Sequence, residues 1–292
     1  MAGRERDYLA NAAAEGLDEV EALSRQMNLY SPVSELNWIN GRAARKPVTV
    51  EPGLFSLLEL AQRVSQETGG AFDVTTAPLS RAWGFVGGKP HLPEPQELEP
   101  AQRVSGMFRV TLDPQRRTVS FDREGVTLDL GGIAKGYAVD RAMAILAEKQ
   151  IPTVAVNGGQ STIKARGSPE GDAGWPVAIR YPPGSGPVIE TVMLRDGSLS
   201  TAAAYGKHFE ADGAVYGHII DPRSGRPAQG MLSASALTAS AAESDALATA
   251  FFVLGVEGVR DYCRKHKSVE ALLVPEPAPG QPVGVVRVGG ES

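Results

Sequence analysis

The sequence predicts an α+β fold: a single domain over residues 1–292, with a mainly antiparallel, twisted sheet flanked by helices. Three observations predict it. Two amphipathic helical patterns lie in the first 70 residues, short β-like runs recur from 151 to 238 at a spacing suited to antiparallel strands, and an almost wholly apolar helix comes after them. No internal repeat, low-complexity tract or clean domain boundary interrupts the chain.

Taken in order, residues 5–28 carry Leu9, Ala13, Leu17, Val20, Leu23 and Met27 at three- and four-residue intervals, the period of a helix with one apolar face. Ser31-Pro32 ends it, because a proline disfavours helical backbone in the residue before it. A second helix opens at Pro52, carries Leu54, Leu57, Leu58, Ala61 and Val64, and stops at Gly69-Gly70. Residues 86–106, rich in Gly, Pro and Glu, read as a surface excursion. A hairpin comes next, with strands at 108–112 and 118–121 joined around Asp113-Pro114. Residues 126–130 read as another strand running into Gly131-Gly132-Ile133-Ala134-Lys135-Gly136 and a helix through Leu146. Strands are then expected at 153–156, 177–180, 191–194, 215–220 and 233–238. A helix beginning at Ser240, a charged helix at 257–265 and strands at 271–274 and 283–288 close the chain.

Composition excludes several classes. A net charge of -5 without any Lys/Arg-rich block argues against nucleic acid as the main partner. The single cysteine, Cys263, rules out an intrachain disulfide framework and a cysteine-cluster metal site. No apolar run approaches the ~18 residues that would span a membrane, so no transmembrane segment is expected. The segment Met1-Ala-Gly-Arg-Glu-Arg-Asp7 lacks the apolar core of an export signal. The chain as it stands is therefore expected in the cytoplasm, and a longer N-terminus would allow a periplasmic or membrane-associated location.

The stretch 239–250 puts a carboxylate, Asp245, into a largely apolar helix. Ser240 followed by Glu243 has capping-box spacing, which sets the helix start at Ser240. Thr249 lies one turn beyond Asp245 on the same face. Two readings stand: a solvated aspartate favoured by the helix dipole, or a sparse hard-cation site of the kind magnesium uses, completed by phosphate and water. The Gly131–Gly136 segment is not a Walker loop, since Gly-Lys-Ser/Thr is absent. It is either plain turn geometry or a phosphate site at a helix N-terminus, with Lys135 adding charge or facing solvent. His218, in the alternating run 215–220, pairs with no other histidine at metal-ligand spacing and by itself reads as structural. Asp221 has two readings, orienting His218 or capping the turn Pro222-Arg223-Ser224-Gly225.

Four segments in order carry a resemblance: Gly70-Ala-Phe-Asp73-Val-Thr75 with Pro78 and Trp83-Gly-Phe85; Asp129-Leu-Gly-Gly-Ile-Ala134-Lys135-Gly-Tyr137-Ala-Val-Asp140; His218-Ile-Ile-Asp221-Pro222-Arg223-Ser-Gly225; and Glu243-Ser-Asp245-Ala-Leu-Ala-Thr249-Ala. Together they resemble the ApbE-type FAD:protein FMN transferases, or flavin transferases, from about residue 17 to residue 275. Tyr30-Ser31-Pro32, Ser34-Glu35-Leu36 and Asn40 resemble the family's N-terminal flavin-side segment. The resemblance implies a T-fold-like architecture. It also implies a magnesium-dependent enzyme that splits FAD, attaches FMN to a Thr or Ser hydroxyl of an acceptor protein and releases AMP. By the same resemblance magnesium is held by the Ala134 carbonyl, Asp245 and Thr249, with Asp245 and His218 catalytic, His218 as the base toward the acceptor hydroxyl. An imidazole suits that role because it titrates near neutral pH. FAD contacts fall to Tyr30, Asp73, Lys135, Tyr137, His218 and Ile219, with Trp83, Phe85 and Tyr205 as further stacking candidates. Asp73 has a competing reading as a turn cap.

The chain departs from the family pattern in places. It starts at the first helix, without the strand containing Met-Gly-Thr that commonly precedes it. Asn157-Gly158-Gly159-Gln160-Ser161 stands where Asn-x-Gly-Gly-Asp is usual, and Thr201-Ala202-Ala203-Ala204-Tyr205 lacks the usual glycine and polar residue. Two rival functions remain open: an FAD pyrophosphatase yielding FMN and AMP, and a non-catalytic flavin carrier. The intact Asp245/Thr249 pair disfavours the carrier.

Overall fold

Six antiparallel strands form the main sheet, and the helix that carries Asp245 lies across it. The computed structural model describes residues 2–181, 186–203, 207–278 and 280–290. Helix α1 (Ala2–Gln26) runs along the outside, and after it comes the short α2 (Glu35–Asn40), capped by Ser34, whose Oγ accepts the Asn37 amide at 3.1 Å. Strand β1 (Val48–Thr49) precedes α3 (Pro52–Glu67), where Glu51 accepts the Leu54 amide at 2.9 Å. Gly69 and Gly70 end that helix at φ +59° and +79°, backbone that glycine adopts without a Cβ penalty. Next come α4 (Ala77–Ala82), α5 (Pro95–Val104) and the hairpin β2 (Val110–Asp113) and β3 (Thr118–Phe121), which pairs with β1 in a three-stranded sheet.

The second half begins with α6 (Ala134–Glu148), β4 (Val154–Gly158) and β5 (Thr162–Arg166). Then come β6 (Trp175–Arg180), β7 (Val188–Leu194), β8 (Gly197–Ala203), β9 (His208–Ala211) and β10 (Ala214–Gly217). The chain ends through β11 (Ile220–Asp221), β12 (Arg226–Pro227), β13 (Met231–Thr238), α7 (Ala241–Lys265), β14 (Glu270–Pro275) and β15 (Val286–Val288). The main sheet has the order β15-β14-β13-β8-β5-β4, antiparallel at every pairing. Its residues alternate between two layers: Ala271 and Leu273 of β14 join the core under α7, while Leu272 packs with Leu199, Ile179 and Leu194 beneath the β6–β7 hairpin. Among the described residues no helix is long and apolar enough to cross a membrane.

The α+β class and antiparallel sheet match the expectation, and several elements correct it. Residues 126–130 form no strand: Leu128 exchanges both backbone hydrogen bonds with the Asn40 side chain, at 2.8 and 3.0 Å, and the Asp129 amide donates to the Val74 carbonyl at 2.6 Å. The segment is extended, and its polar groups are satisfied outside any ladder. The 86–106 excursion contains α5, started by Pro95 and by Glu97, whose carboxylate accepts the Glu94 amide at 2.9 Å. Strands β1, β5, β8, β9 and β12 were not expected. In β8 the run Gly-Ser-Leu-Ser-Thr-Ala-Ala carries little apolar bulk because Ser198 and Ser200 lie buried against α7. The late helix and the charged helix are two arms of α7, broken at Gly255 with φ 66° and ψ -177°.

Candidate active site

The site is built where α6 and α7 begin side by side. A Cβ on Gly136 would collide with the Ala241 carbonyl, so glycine there allows the two first turns to touch. Ser240 caps α7 as expected, its Oγ accepting the Glu243 amide at 3.3 Å. The other half of the capping box is not made, because the Glu243 carboxylate pairs with Arg63 at 2.8 Å. Asp140 of α6 supplies the remaining acceptors. Its carboxylate takes hydrogen bonds from the Ala241 and Ala242 amides, both at 2.9 Å, and from Ser240 Oγ at 2.8 Å, and it pairs with Lys164 Nζ at 2.5 Å.

Asp245 is 6% exposed. One carboxylate oxygen accepts the Gly136 amide at 3.0 Å, and the other faces Lys135 Nζ at 3.3 Å, with Thr162 Oγ1 at 3.5 Å. A buried carboxylate with these partners is no solvated surface aspartate. Thr249 Oγ1 lies one turn on, 3.4 Å from the Asp245 carbonyl, and Gly132 passes so close that a Cβ there would sit 3.4 Å from the same hydroxyl.

These groups open onto a cleft of about 510 Å³. Tyr30, Asp73, Lys135, His218, Ile219, Asp245 and Thr249 all line it. Tyr30, 72% exposed, stands at its rim. His218 reaches it from the end of β10, its Nδ1 3.3 Å from the Lys207 carbonyl oxygen. When Nδ1 donates there, the neutral ring carries its lone pair on Nε2. Asp221 does not orient this ring: its carboxylate is bidentate to Arg223 at 2.8 and 2.9 Å and also accepts the Arg223 amide, as a turn cap does.

Three expected positions fall differently. Tyr137 is absent from the cleft wall; its hydroxyl packs against Gly53 beside Glu51, and burial pushes its phenol pKa up. Ala134 lines a neighbouring apolar groove of about 1100 Å³ between α1, α6 and β4, which meets the cleft at Tyr30, Asp129, Gly131 and Lys135. Asp73 is on the wall, but both its oxygens are spent inside the fold: on the Thr75 amide and hydroxyl at 2.7 and 2.6 Å and on the Met107 amide at 2.6 Å. Desolvation holds its carboxyl above the ordinary range despite those bonds. The turn-cap reading is what the geometry shows. The glycine segment is likewise occupied, since the amides of Gly131, Ile133, Ala134 and Gly136 all have acceptors within the protein. Those four amides are therefore not available to an anion in the cleft, whose wall carries the Lys135 side chain. Trp83 is core, its Nε1 donating to the Gly225 carbonyl at 2.8 Å and its ring packed with Phe209 and Tyr216, while Phe85 reaches the cleft. Tyr205 lies outside the described residues.

Phe72, Ser161, Thr201 and Lys207 were missed as wall residues. For Ser161 a signal existed in the Asn157–Ser161 loop, where Gly159 and Gln160 both take φ 69° and Asn157 Oδ1 accepts the Gln160 amide at 3.2 Å. Its Oγ is buried on the cleft without a protein partner among the described residues.

The donor set suits a small hard cation. Among the described residues no three His, Cys, Asp or Glu side chains come together, so an ion here would rest on one buried carboxylate and neutral oxygens. That pattern fits magnesium bound jointly with a phosphate ligand and does not fit an all-protein cage.

The sequence matches the ApbE family profile over residues 4–273. It is 34% identical over 294 residues to an FAD:protein FMN transferase of Treponema pallidum, covering 93% of this chain and 81% of that protein. A Vibrio cholerae FAD:protein FMN transferase is 32% identical over 243 residues, covering 82% and 72%. The solved ApbE protein from Thermotoga maritima superposes with TM-score 0.84 at 30% identity, covering 94% of this chain and 88% of that one. The flavin transferase ApbE from Vibrio cholerae gives 0.82 at 27% identity, covering 96% and 88%.

Proposed function

This chain belongs to the ApbE family, and we infer from that membership that it is an FAD:protein FMN transferase, an enzyme with FAD and an acceptor protein as its substrates. We propose further that the acceptor group is a Thr or Ser hydroxyl, that AMP leaves, and that the reaction depends on magnesium. The observation that carries this reading is the cleft in which Lys135, Asp245 and Thr249 share walls with His218. One side offers charge for a pyrophosphate, and the other offers a base for a hydroxyl.

In the proposed reaction the acceptor oxygen attacks the FMN-side phosphorus, and the bond from that phosphorus to the bridging oxygen breaks. AMP departs with the electron pair. The hydroxyl proton passes to His218 Nε2, a step of general-base catalysis. Lys135 places a positive charge beside the pyrophosphate, and the apolar Phe72 and Ile219 limit water at the same wall. Asp245 and the Thr249 hydroxyl, the two members of the expected metal set that line the cleft, would hold magnesium, which when bound neutralises charge on the phosphates. Tyr30 at the rim and Ile219 on the wall are the proposed flavin-side contacts.

The test is a mass balance. Protein, FAD, magnesium and a peptide bearing an acceptor Thr should yield AMP and flavin-labelled peptide in equal amounts. AMP with free FMN and unlabelled peptide would make the protein a pyrophosphatase. FAD that stays intact beside a competent acceptor would make it a carrier.

A further inference from the structure

Asp140 lies in the second turn of α6, facing α7 and away from the cleft, and no step of the reaction uses it. It is nonetheless the best-connected carboxylate among the described residues. Four donors converge on it at 2.5 to 2.9 Å: two amides and one hydroxyl from the start of α7, and the Lys164 ammonium from β5. The first amides of a helix have no partner within the helix, so a buried helix start needs an external acceptor. Ala241 and Ala242 are both buried, and Asp140 is the acceptor for both.

The position of this cap matters because two cleft residues ride on the helix it holds. Asp245 is four residues beyond Ala241 and Thr249 eight, on the arm of α7 that precedes the break at Gly255. Asp140 and Gly136 are one turn apart on α6, so Asp140 holds the α7 start on the same helix whose Gly136 amide holds Asp245. Two contacts one turn apart fix both the translation of α7 along α6 and its rotation about its own axis. Lys164 meets the same carboxylate from the sheet and makes no bond to the first turn of α7 among those described.

We propose that Asp140 is a positioning residue for the transfer reaction: by capping α7 it sets the depth at which Asp245 and Thr249 enter the cleft. The inference rests on the reading of Asp245 as the carboxylate of the cation site. Loss of the cap lets the first turn of α7 fray and the two oxygen ligands shift together. The weakened quantity is then cation affinity, with the rate at saturating cation less affected. Removal of groups that support metal ligands typically lowers affinity ~10–100-fold.

The experiment compares Asp140→Asn, Lys164→Met and Asp245→Ala with the parent. Magnesium is titrated calorimetrically into the protein–FAD complex without acceptor, hydrogen exchange of the 240–245 segment is monitored, and AMP release is measured against magnesium concentration. Asp140→Asn should speed exchange in that segment and raise the magnesium dissociation constant about 10-fold or more, with the rate at saturating magnesium changed much less. Lys164→Met, which leaves the cap, should bind magnesium as the parent does. An Asp140→Asn protein that exchanges faster yet binds magnesium with parental affinity would overturn the inference and leave Asp140 a purely structural cap. Should that variant fail to fold, Ser240→Ala, which removes one of the four donors, should still weaken magnesium binding, and parental affinity there would equally overturn the inference. Asp245→Ala separates the two levels: if it binds magnesium normally, the reading of Asp245 is what fails.

Discussion

Asp245 accepts the backbone amide of Gly136 at 3.0 Å, so the carboxylate that faces the cleft also closes the N-terminus of the neighbouring helix. One side chain thus joins the functional surface to the packing of α6 on α7.

From this double role, Asp245→Ala should lose both activity and stability. The buried Gly136 amide is left without its acceptor, which costs about 1–3 kcal/mol, and AMP release from FAD should vanish. Asp245→Asn keeps an acceptor for the amide and should melt closer to the parent while remaining inactive. Thr249→Ala should be milder, because a neutral hydroxyl contributes less to holding a cation. Activity assays and thermal melts on the three variants check this; parental AMP release from Asp245→Ala would remove Asp245 from the site.

His218→Asn should slow FMN attachment by about 10²–10⁴-fold, the usual contribution of a general base, with little change in FAD affinity. Single-turnover labelling and a fluorescence titration of FAD separate the two quantities. Weakened binding with normal turnover of bound FAD would make His218 a binding residue.

Asp73 gives the protein a pH dependence of stability. Burial raises its folded pKa above the unfolded value, so the native state binds the proton more tightly. Its contribution to stability is present below the ordinary carboxylate range and is lost as pH rises through the raised folded value. Asp73→Asn should abolish that slope. It also turns an amide group toward donors that the carboxylate now accepts, at a cost of about 1–3 kcal/mol. Urea unfolding across a pH series tests both parts, and a parental slope in the variant would assign the dependence to another group.

Cys263 is 4% exposed, and burial beside Glu270 pushes its thiol up to about 11. Because the thiolate is the reactive form, the native protein should resist a thiol reagent at neutral pH and react fully once unfolded. Rapid native labelling would show that the α7 C-terminal arm opens.

The sequence alone settled the features that depend on local order. Helical periodicity and the stops at Pro32 and Gly69-Gly70 marked the first helices, and the position of Ser240 marked the start of α7. One carboxylate among apolar helix positions, together with four motifs in order, pointed to the family and the chemistry. Only the tertiary structure decided which side chains meet. Residues 126–130 have strand-like composition, yet Asn40, 88 residues before Leu128, takes their hydrogen bonds. The serines of β8 look like loop in one dimension because the helix that buries them comes some 40 residues later. Tyr137 and Lys135 lie two residues apart in one motif, and a helix turns about 100° per residue, so Lys135 faces the cleft while Tyr137 faces Gly53. Asp73 and Asp140 are both aspartates within motifs, and their partners, spread over the chain, made one a turn cap and the other the cap of α7. Periodicity and turn chemistry act over a few residues and can be read along the chain, whereas burial and hydrogen-bond pairing are set by which distant segments the fold packs together.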